Sequence, residues 1–544
     1  MYRIFSRKMH WALPPLAVAL YITLFLNQTL WELWRTATGA PHAATAATFA
    51  VMVALVMIMM AGLLLLFLPR IGKLMLVLVL LVAAANDYFS LRLGIVVDDA
   101  MVRNIFETDW QEALALVTQP LVKHLLIYGG IPSLVLAWVP VRPAGWQWCW
   151  QMPVLVLMSL LVAVAALGVQ YKFFQLLFRE HRELRLHINP TYAIYSLVKY
   201  GVHEEVSSSA LPLQVVAADA RVTHRPQRNR PLLAVFVVGE TARADHFSLN
   251  GYVRDTNPEL GRIEGLLSFN NAWSCGTSTA ESLPCMFSDL PRAAYTPEKA
   301  ARRQNVLDVL ERVGIDVVWV DNNSGSKGVA DRVSYLSRKK FPDSEIRAYC
   351  GSDECFDEVL PSVASRLFGE KPGDQLVVLH QMGEHGPSYH LRHPDAFRRF
   401  EPECEQNDVF NCSQEALINA YDNDILYTDH VLASVIARMR RLEKTHDLLF
   451  FYMSDHGESL GENGIYLHGA PWSIAPDAQK HVPLLLWMSD QAYRDLRINK
   501  TCMMNRLNES VDHDHIFHTL LGLFTNRKSD VYEANLDVLA ACRG

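Results

Sequence analysis

The hydrophobic pattern divides the chain into two unlike parts. Up to about residue 172, apolar residues come in long runs, roughly 11 to 31, 47 to 68, 73 to 94, 121 to 140 and 152 to 171. Each run is long enough to cross a bilayer as a helix. Beyond it the apolar runs shorten, and each is followed by a polar cluster and then a helical pattern. Leu232 to Val238 leads into Gly239-Glu240-Thr241-Ala242-Arg243, and Asp316 to Val320 into Asp321 to Gly328. Gln375 to Leu379 leads into His380 to Pro387, and Leu448 to Met453 into Ser454 to Gly464. Short buried strands alternating with helices predict an α/β domain with a doubly wound, mostly parallel sheet. In such a sheet ligands bind beyond the carboxyl ends of the strands, where all four clusters fall. The predicted organisation is a transmembrane domain of five helices over 1–172, a bridging helix and linker over 173–228, and an exported catalytic domain over 229–544.

Charge orients this arrangement. Arg3, Arg7 and Lys8 precede the first run, Arg70 and Lys73 fill the second loop and Arg142 lies in the fourth, so the N-terminus is expected inside and everything after residue 172 outside. No small-residue cleavage site follows the first run, which separates it from a removable signal. Of nine cysteines only Cys149 falls in the membrane part. The others form close pairs, Cys275/Cys285, Cys350/Cys355 and Cys404/Cys412, and leave Cys502 and Cys542. An even set suggests disulfides made in an oxidising compartment, although spacing does not fix their connectivity; the lack of a CxxC pair argues against a zinc knuckle. A net charge of -7 provides no broad basic field and excludes nucleic acid as an expected partner. Between the third and fourth runs, Asn104, Thr108 and Glu112 recur every four residues beside Val102, Ile105, Phe106 and Trp110. On one helix they form a polar stripe suited to lipid headgroups, and equally a solvated face packed on the spans.

The candidate chemistry centres on Ser274 to Ser288, a run of small hydroxyl residues bracketed by Cys275 and Cys285. Thr279 sits at the expected start of a helix, where free N–H groups and the positive end of the dipole suit a phosphate. An ordinary N-cap is the plainer alternative. Glu240, Asp455 and His456 offer oxygen and nitrogen donors that, with Thr279, suit Zn²⁺. Asp455 and His456 are neighbours and can both ligate only if the backbone turns at the strand end, a turn that Gly457 would permit. The metal answers a chemical need, since a threonine hydroxyl is a poor nucleophile until its proton affinity is lowered. Phosphoryl transfer also spreads negative charge over the equatorial oxygens. Lys327 and Asn323 are candidates to donate to those oxygens, and His385 and His468 to hold a second metal or act as general acid and base. Glu458 is a candidate to orient the ligands, and His380 is left between core and site.

With these residues placed, the chain resembles the lipid A phosphoethanolamine transferases, the family that includes the mobile colistin-resistance enzymes, within the alkaline phosphatase superfamily. The resemblance runs from the first span to the C-terminus. It rests on Val238 to Asp245, Ser274 to Ser288, Asp321 to Gly328, His385-Gly386-Pro387, Asn419 to Asn423 and Ser454 to Gly464. It implies an alkaline phosphatase/sulfatase-like fold, one tightly bound Zn²⁺ on Glu240, Thr279, Asp455 and His456, and room for a second. Thr279 is implied as the phosphoacceptor, with Lys327, Asn323, His385 and His468 on the substrate phosphate or a further zinc. Asn104, Thr108 and Glu112 are implied at the lipid headgroup. The implied reaction moves phosphoethanolamine from phosphatidylethanolamine to a lipid A phosphate through a phosphothreonine. The enzyme would be an inner-membrane monomer with a periplasmic catalytic domain, and would confer resistance to polymyxin and other cationic peptides. Glu384 departs from the family pattern, which has a smaller polar residue there; an extra carboxylate is expected to tighten a second metal or alter the acceptor pocket. A sulfatase-like hydrolase or a phosphoglycerol transferase is the alternative within the superfamily. A membrane transporter or sensor is the alternative outside it, opposed by the scarcity of ionisable residues in the spans and by the complete metal set.

Overall fold

The computed structural model describes residues 8–38, 45–108, 110–142, 145–181, 183–208, 212–222, 230–351 and 354–544. It falls into two compact units, Met1–Val102 with Val117–Tyr200, and Arg103–Leu116 with Gly201–Gly544.

In the first unit four helices are long and apolar enough to cross a membrane: Ala46–Leu66, Gly72–Leu93, Gln119–Trp138 and Gln147–Gly168. The first apolar run is not one helix. Leu13–Phe25 is followed by Gln28–Thr38 at an angle of 55°. Thirteen residues rise about 20 Å, short of a hydrocarbon core about 30 Å thick, so a fifth span requires the bent pair to count as one. Two buried asparagines supply the partners that the bend removes. Asn27 Nδ2 donates to Ile22 O (3.0 Å) and Asn189 O (2.9 Å). Asn189 Nδ2 donates to Leu26 O (2.6 Å) and Ala83 O (2.8 Å), and its N–H to Asn27 Oδ1 (2.9 Å). Broken helices survive at membrane depth only with such replacements.

The second unit is built on a seven-stranded sheet. In chain order its strands are β1 Leu232–Gly239, β2 Leu267–Phe269, β3 Asp316–Asp321, β4 Ser334–Ser337, β5 Gln375–His380, β6 Asp447–Ser454 and β7 Leu484–Met488. They lie in the order β2-β7-β6-β1-β5-β3-β4, all neighbours parallel except β7, which runs against both β2 and β6. The four apolar runs became β1, β3, β5 and β6. Every residue of β1 is buried, as both faces of a central parallel strand are covered. Phe236 packs against Phe287 on one helix and Phe451 on the next strand. Val238 pairs with His380, Gly239 with Ser454 and Asp321 with His380, so the strands stop level with one another. Glu240, Gln381 and Asp455 therefore leave the sheet side by side, at a strand spacing of about 4.8 Å.

Disulfides join Cys275 to Cys285, Cys350 to Cys355, Cys404 to Cys412 and Cys502 to Cys542, with Cys149 free. The polar stripe is interrupted. One helix ends at Glu107 and another spans Trp110–Ala115. Thr108 Oγ1 donates back to Asn104 O (2.6 Å), a side-chain bond that competes with helix continuation. Asn104 and Thr108 thus meet each other, while the side chain of Glu112 lies outside the described residues.

Candidate active site

Two strand ends and one helix start converge. β1 ends at Gly239 and hands over Glu240; β6 ends at Ser454 and hands over Asp455 and His456, so both neighbours are free of the strand's alternation. The next residue after Glu240, Thr241, has φ +56°, a conformation that a β-branched residue rarely adopts. It is held there because its N–H donates to Asp455 Oδ1 (3.3 Å) and its carbonyl accepts from Tyr421 (2.7 Å). Arg243 closes the loop, donating to Glu458 O (3.1 Å) and to Asp245 and Glu462. Gly457 meets its steric requirement differently from the expected turn. Its φ is not positive; instead, a Cβ there would lie 2.1 Å from Ala478 O. The glycine permits close approach of two backbones rather than a left-handed turn.

Thr279 is the first residue of the helix Thr279–Met286, and Ser278 is its N-cap. The Thr279 hydroxyl does not cap. It donates to Glu240 Oε2 (3.0 Å) and lies 3.3 Å from His456 Nε2. His456 Nε2 also lies 3.2 Å from Glu240 Oε1 and 3.4 Å from Asp455 Oδ2. Glu240, Asp455 and His456 are all fully buried and are the one such group of potential metal donors among the described residues. Glu240 Oε1 and Asp455 Oδ2 have no hydrogen-bond partner, although both are buried. Two carboxylate oxygens without a hydrogen-bond partner, beside an imidazole nitrogen and a hydroxyl, make a donor set that fits a divalent cation. The ionisation of the group agrees. Burial opposes charge on His456, but the Asp455 and Glu240 carboxylates outweigh it and raise the ring to about 10. Burial, then the charge of Glu240, raises Asp455 to about 6. Glu240 is held below the ordinary carboxylate range because His456, then His385 and His468, outweigh its burial. The site demands positive charge at its centre.

Around this group the expected residues separate by role. Asn323 spends both its amide hydrogens inside the protein, on Glu240 Oε2 (2.8 Å) and Gln381 O (2.7 Å). It orients Glu240, a candidate metal donor. His385, His468 and His456 form a run of rings, with centroids 5.1 Å and 4.6 Å apart. Glu458 orients His468, accepting from its Nδ1 (2.9 Å), and also accepts from Tyr389 (2.7 Å). With Nδ1 donating to that carboxylate, Nε2 is the ring nitrogen that Glu458 leaves unengaged. Lys327, at φ +48°, donates to Glu107 O (3.1 Å) and lines a cavity of about 170 Å³ with Ala280, Ser288, Tyr295 and Arg303. His380 is a core residue: it is buried against Trp319 and its Nδ1 lies 3.1 Å from Asp321 Oδ2. The Glu384 carboxyl sits among Thr428, Asp424 and Asp357. Burial, reinforced by the latter two, pushes it well above the ordinary range. Sequence reasoning gave no role to Tyr421, although it lies in the Asn419 to Asn423 motif, and missed Tyr389, in a short turn, and His513, after a two-residue strand.

Comparison with known proteins agrees with this geometry. Residues 51–205 match the family described as phosphoethanolamine transferase EptA/EptB, and residues 233–526 match the sulfatase family. The chain is 38% identical to "Phosphoethanolamine transferase EptA" of Salmonella typhimurium over 87% of its own length and 86% of that protein's. It is 39% identical to "Phosphatidylethanolamine transferase Mcr-1" of Escherichia coli over 83% of each. The solved structure of the integral membrane protein lipooligosaccharide phosphoethanolamine transferase A from Neisseria meningitidis superposes with a TM-score of 0.91, covering 99% of this chain and 100% of that one at 32% identity. The chain is thus a membrane enzyme with a sulfatase-like domain, and it belongs to the phosphoethanolamine transferase family of EptA and Mcr-1, in the alkaline phosphatase superfamily.

Proposed function

We propose that this enzyme transfers phosphoethanolamine from phosphatidylethanolamine to a lipid A phosphate, with Thr279 as the transient carrier. The observation that carries the reading is the Thr279 hydroxyl, 3.0 Å from Glu240 Oε2 and beside His456, at the positive end of a helix. The metal donors Glu240, Asp455, His456 and Thr279 suit Zn²⁺, and a bound Zn²⁺ would lower the proton affinity of the Thr279 hydroxyl and offset negative charge on the phosphoryl oxygens. The chain's own residues do the rest. Thr279 Oγ1 attacks the donor phosphorus, the bond from phosphorus to the glycerol oxygen breaks, and diacylglycerol leaves with a proton. A lipid A phosphate oxygen then attacks the same phosphorus, the bond from phosphorus to Thr279 Oγ1 breaks, and Thr279 regains its hydroxyl hydrogen. His468, steered by Glu458, and His385 beside it are the groups we assign to give and take those protons, or to hold a second zinc. Asn323 keeps Glu240 in place for both steps, and with Lys327 it is a further candidate for the substrate phosphate. Asn104, Thr108 and Glu112 are our candidates for the lipid headgroup.

The relatives' names support this choice of lipids. One at 33% identity over 275 residues is "Kdo(2)-lipid A phosphoethanolamine 7''-transferase" of Escherichia coli. We place the catalytic domain, residues 229–544, in the periplasm, behind a membrane domain over 1–172 and a bridge over 173–228, and take the protein as a monomer. Four disulfides in the second unit suit an oxidising compartment. Capping a phosphate with an amine lowers surface charge, from which polymyxin resistance follows. The test is to offer phosphatidylethanolamine without acceptor and examine the Thr279 peptide by mass spectrometry. The phosphoethanolamine adduct should appear in the wild type and be absent in Thr279→Ala, which should still bind some zinc. Modification of lipid A by Thr279→Ala at a rate near wild type would refute the carrier role.

A further inference from the structure

His513 belongs to none of the strand-end clusters. It follows the two-residue strand Val511–Asp512 and is fully buried. Its ring joins two backbones: the Cys275 N–H donates to Nδ1 (3.2 Å), and Nε2 lies 3.0 Å from Ser454 O. A nitrogen that accepts from an amide carries no proton, and a carbonyl can only accept, so Nδ1 is bare and Nε2 holds the hydrogen. Both contacts select the same neutral tautomer. Burial keeps the ring in that state, holding it down at about 4.

The two backbones are those on which the site is mounted. Cys275 stands four residues before Thr279, and the intervening loop has little freedom to absorb a shift. A Cβ on Gly276 would lie 2.6 Å from Ser282 Oγ, Thr277 Oγ1 donates to Ala470 O (2.7 Å), and Cys275 is bonded to Cys285 in the Thr279 helix. On the other side, Ser454 immediately precedes Asp455 and His456. Its hydroxyl accepts from Ala242 N (2.9 Å) and donates to His456 O (2.9 Å). We propose that His513 is a positioning residue for phosphoryl transfer: one neutral imidazole spanning Cys275 and Ser454 sets the separation between the Thr279 hydroxyl and the metal-binding carboxylates. This rests on the reading of Thr279 as the carrier.

Three variants of the full-length, metal-loaded enzyme divide the bridge. His513→Asn keeps an acceptor near the Nδ1 position, His513→Gln keeps a donor near the Nε2 position, and His513→Phe keeps the ring volume and neither bond. Metal content, Tm, donor KM, kcat and the rate of adduct formation on Thr279 are measured for each. Metal content and KM should equal wild type. The turnover and the adduct rate should fall at least tenfold in His513→Phe and by an intermediate factor in the other two. If His513→Phe does not fold, the Asn and Gln variants decide, and wild-type turnover in both overturns the proposal. It is also overturned if kcat per metal-loaded molecule stays within twofold of wild type in His513→Phe, or if turnover falls only in proportion to metal lost, which marks a purely structural role. Absence of an adduct in the wild type would sink the carrier reading alone, since the variants' kcat per metal-loaded molecule still reports on positioning.

Discussion

Replacing Asn323 with leucine separates two roles that its position in a strand-end cluster leaves equally open. The side chain keeps its approximate volume and loses both donors. The bond to Glu240 Oε2 is 2.8 Å long and runs to a charged, fully buried acceptor. Bonds of that kind contribute about 1.5 to 3 kcal/mol, and partners that orient metal ligands typically cost 10- to 100-fold in metal affinity when removed. The expected result is therefore a rise of ten- to a hundredfold in the metal Kd, read by competition against a chelator of known affinity in the full-length enzyme. At saturating metal the donor KM should stay within about threefold of wild type, because both amide hydrogens already serve Glu240 and Gln381. The opposite outcome, an unchanged metal Kd with a tenfold rise in donor KM, would mean that Asn323 turns to the substrate phosphate during catalysis. The argument from its resting bonds would then be wrong.

Two further outcomes follow from the same geometry. Gly457→Ala places a Cβ 2.1 Å from the Ala478 carbonyl; overpacking of this kind costs about 1 to 3 kcal/mol, so Tm should fall and metal be lost with it, whereas an unchanged Tm rejects the close-approach reading. For His513 the folded ring is held at about 4, below its ordinary 6.5. The unfolded chain therefore binds the extra proton, and its contribution to stability is complete above pH 6.5 and is lost as pH falls toward 4. At about 1.4 kcal/mol for each pH unit the full loss is about 3 to 4 kcal/mol. His513→Phe should flatten that part of the stability profile in denaturant titrations, and an identical slope in variant and wild type would contradict the assignment.

Much of the site was legible because apolar runs mark strands and parallel strands must end where their ligands bind. Glu240, Asp455 and His456 are each one or two residues past a run of β-branched or aromatic residues, so the sheet itself brings them together. Thr279 was legible from its place among small hydroxyl residues before a helical pattern. The partners of these residues were not. Asn323 and Glu240 are 83 positions apart, and nothing local distinguishes an amide aimed at a carboxylate from one aimed at a ligand. Glu384 read as an extra carboxylate beside His385, and its neighbours Asp424 and Asp357, which come from distant segments, were not foreseen. Strands β2 and β4 are three and four residues long, too short for a period to register, and β4 contains two serines. The bend in the first apolar run was hidden because the short polar step Asn27-Gln28-Thr29 is flanked by hydrophobic residues on both sides, and its partner Asn189 lies far along the chain.

That last pairing has a consequence for how the protein is made. Asn27 lies 162 residues before Asn189, and the carbonyls of Ile22, Leu26 and Ala83 take their bonds from one or both of these amides. While the ribosome is still working through the later spans, Asn189 does not exist, and the Leu26 carbonyl at the break lacks the donor that it has in the finished fold. The bonds at the break are complete only once residue 189 has emerged. The first hydrophobic segment to leave the ribosome is thus the last to be finished, and an Asn189 substitution would be felt as a defect in membrane assembly before it was felt as a loss of catalysis.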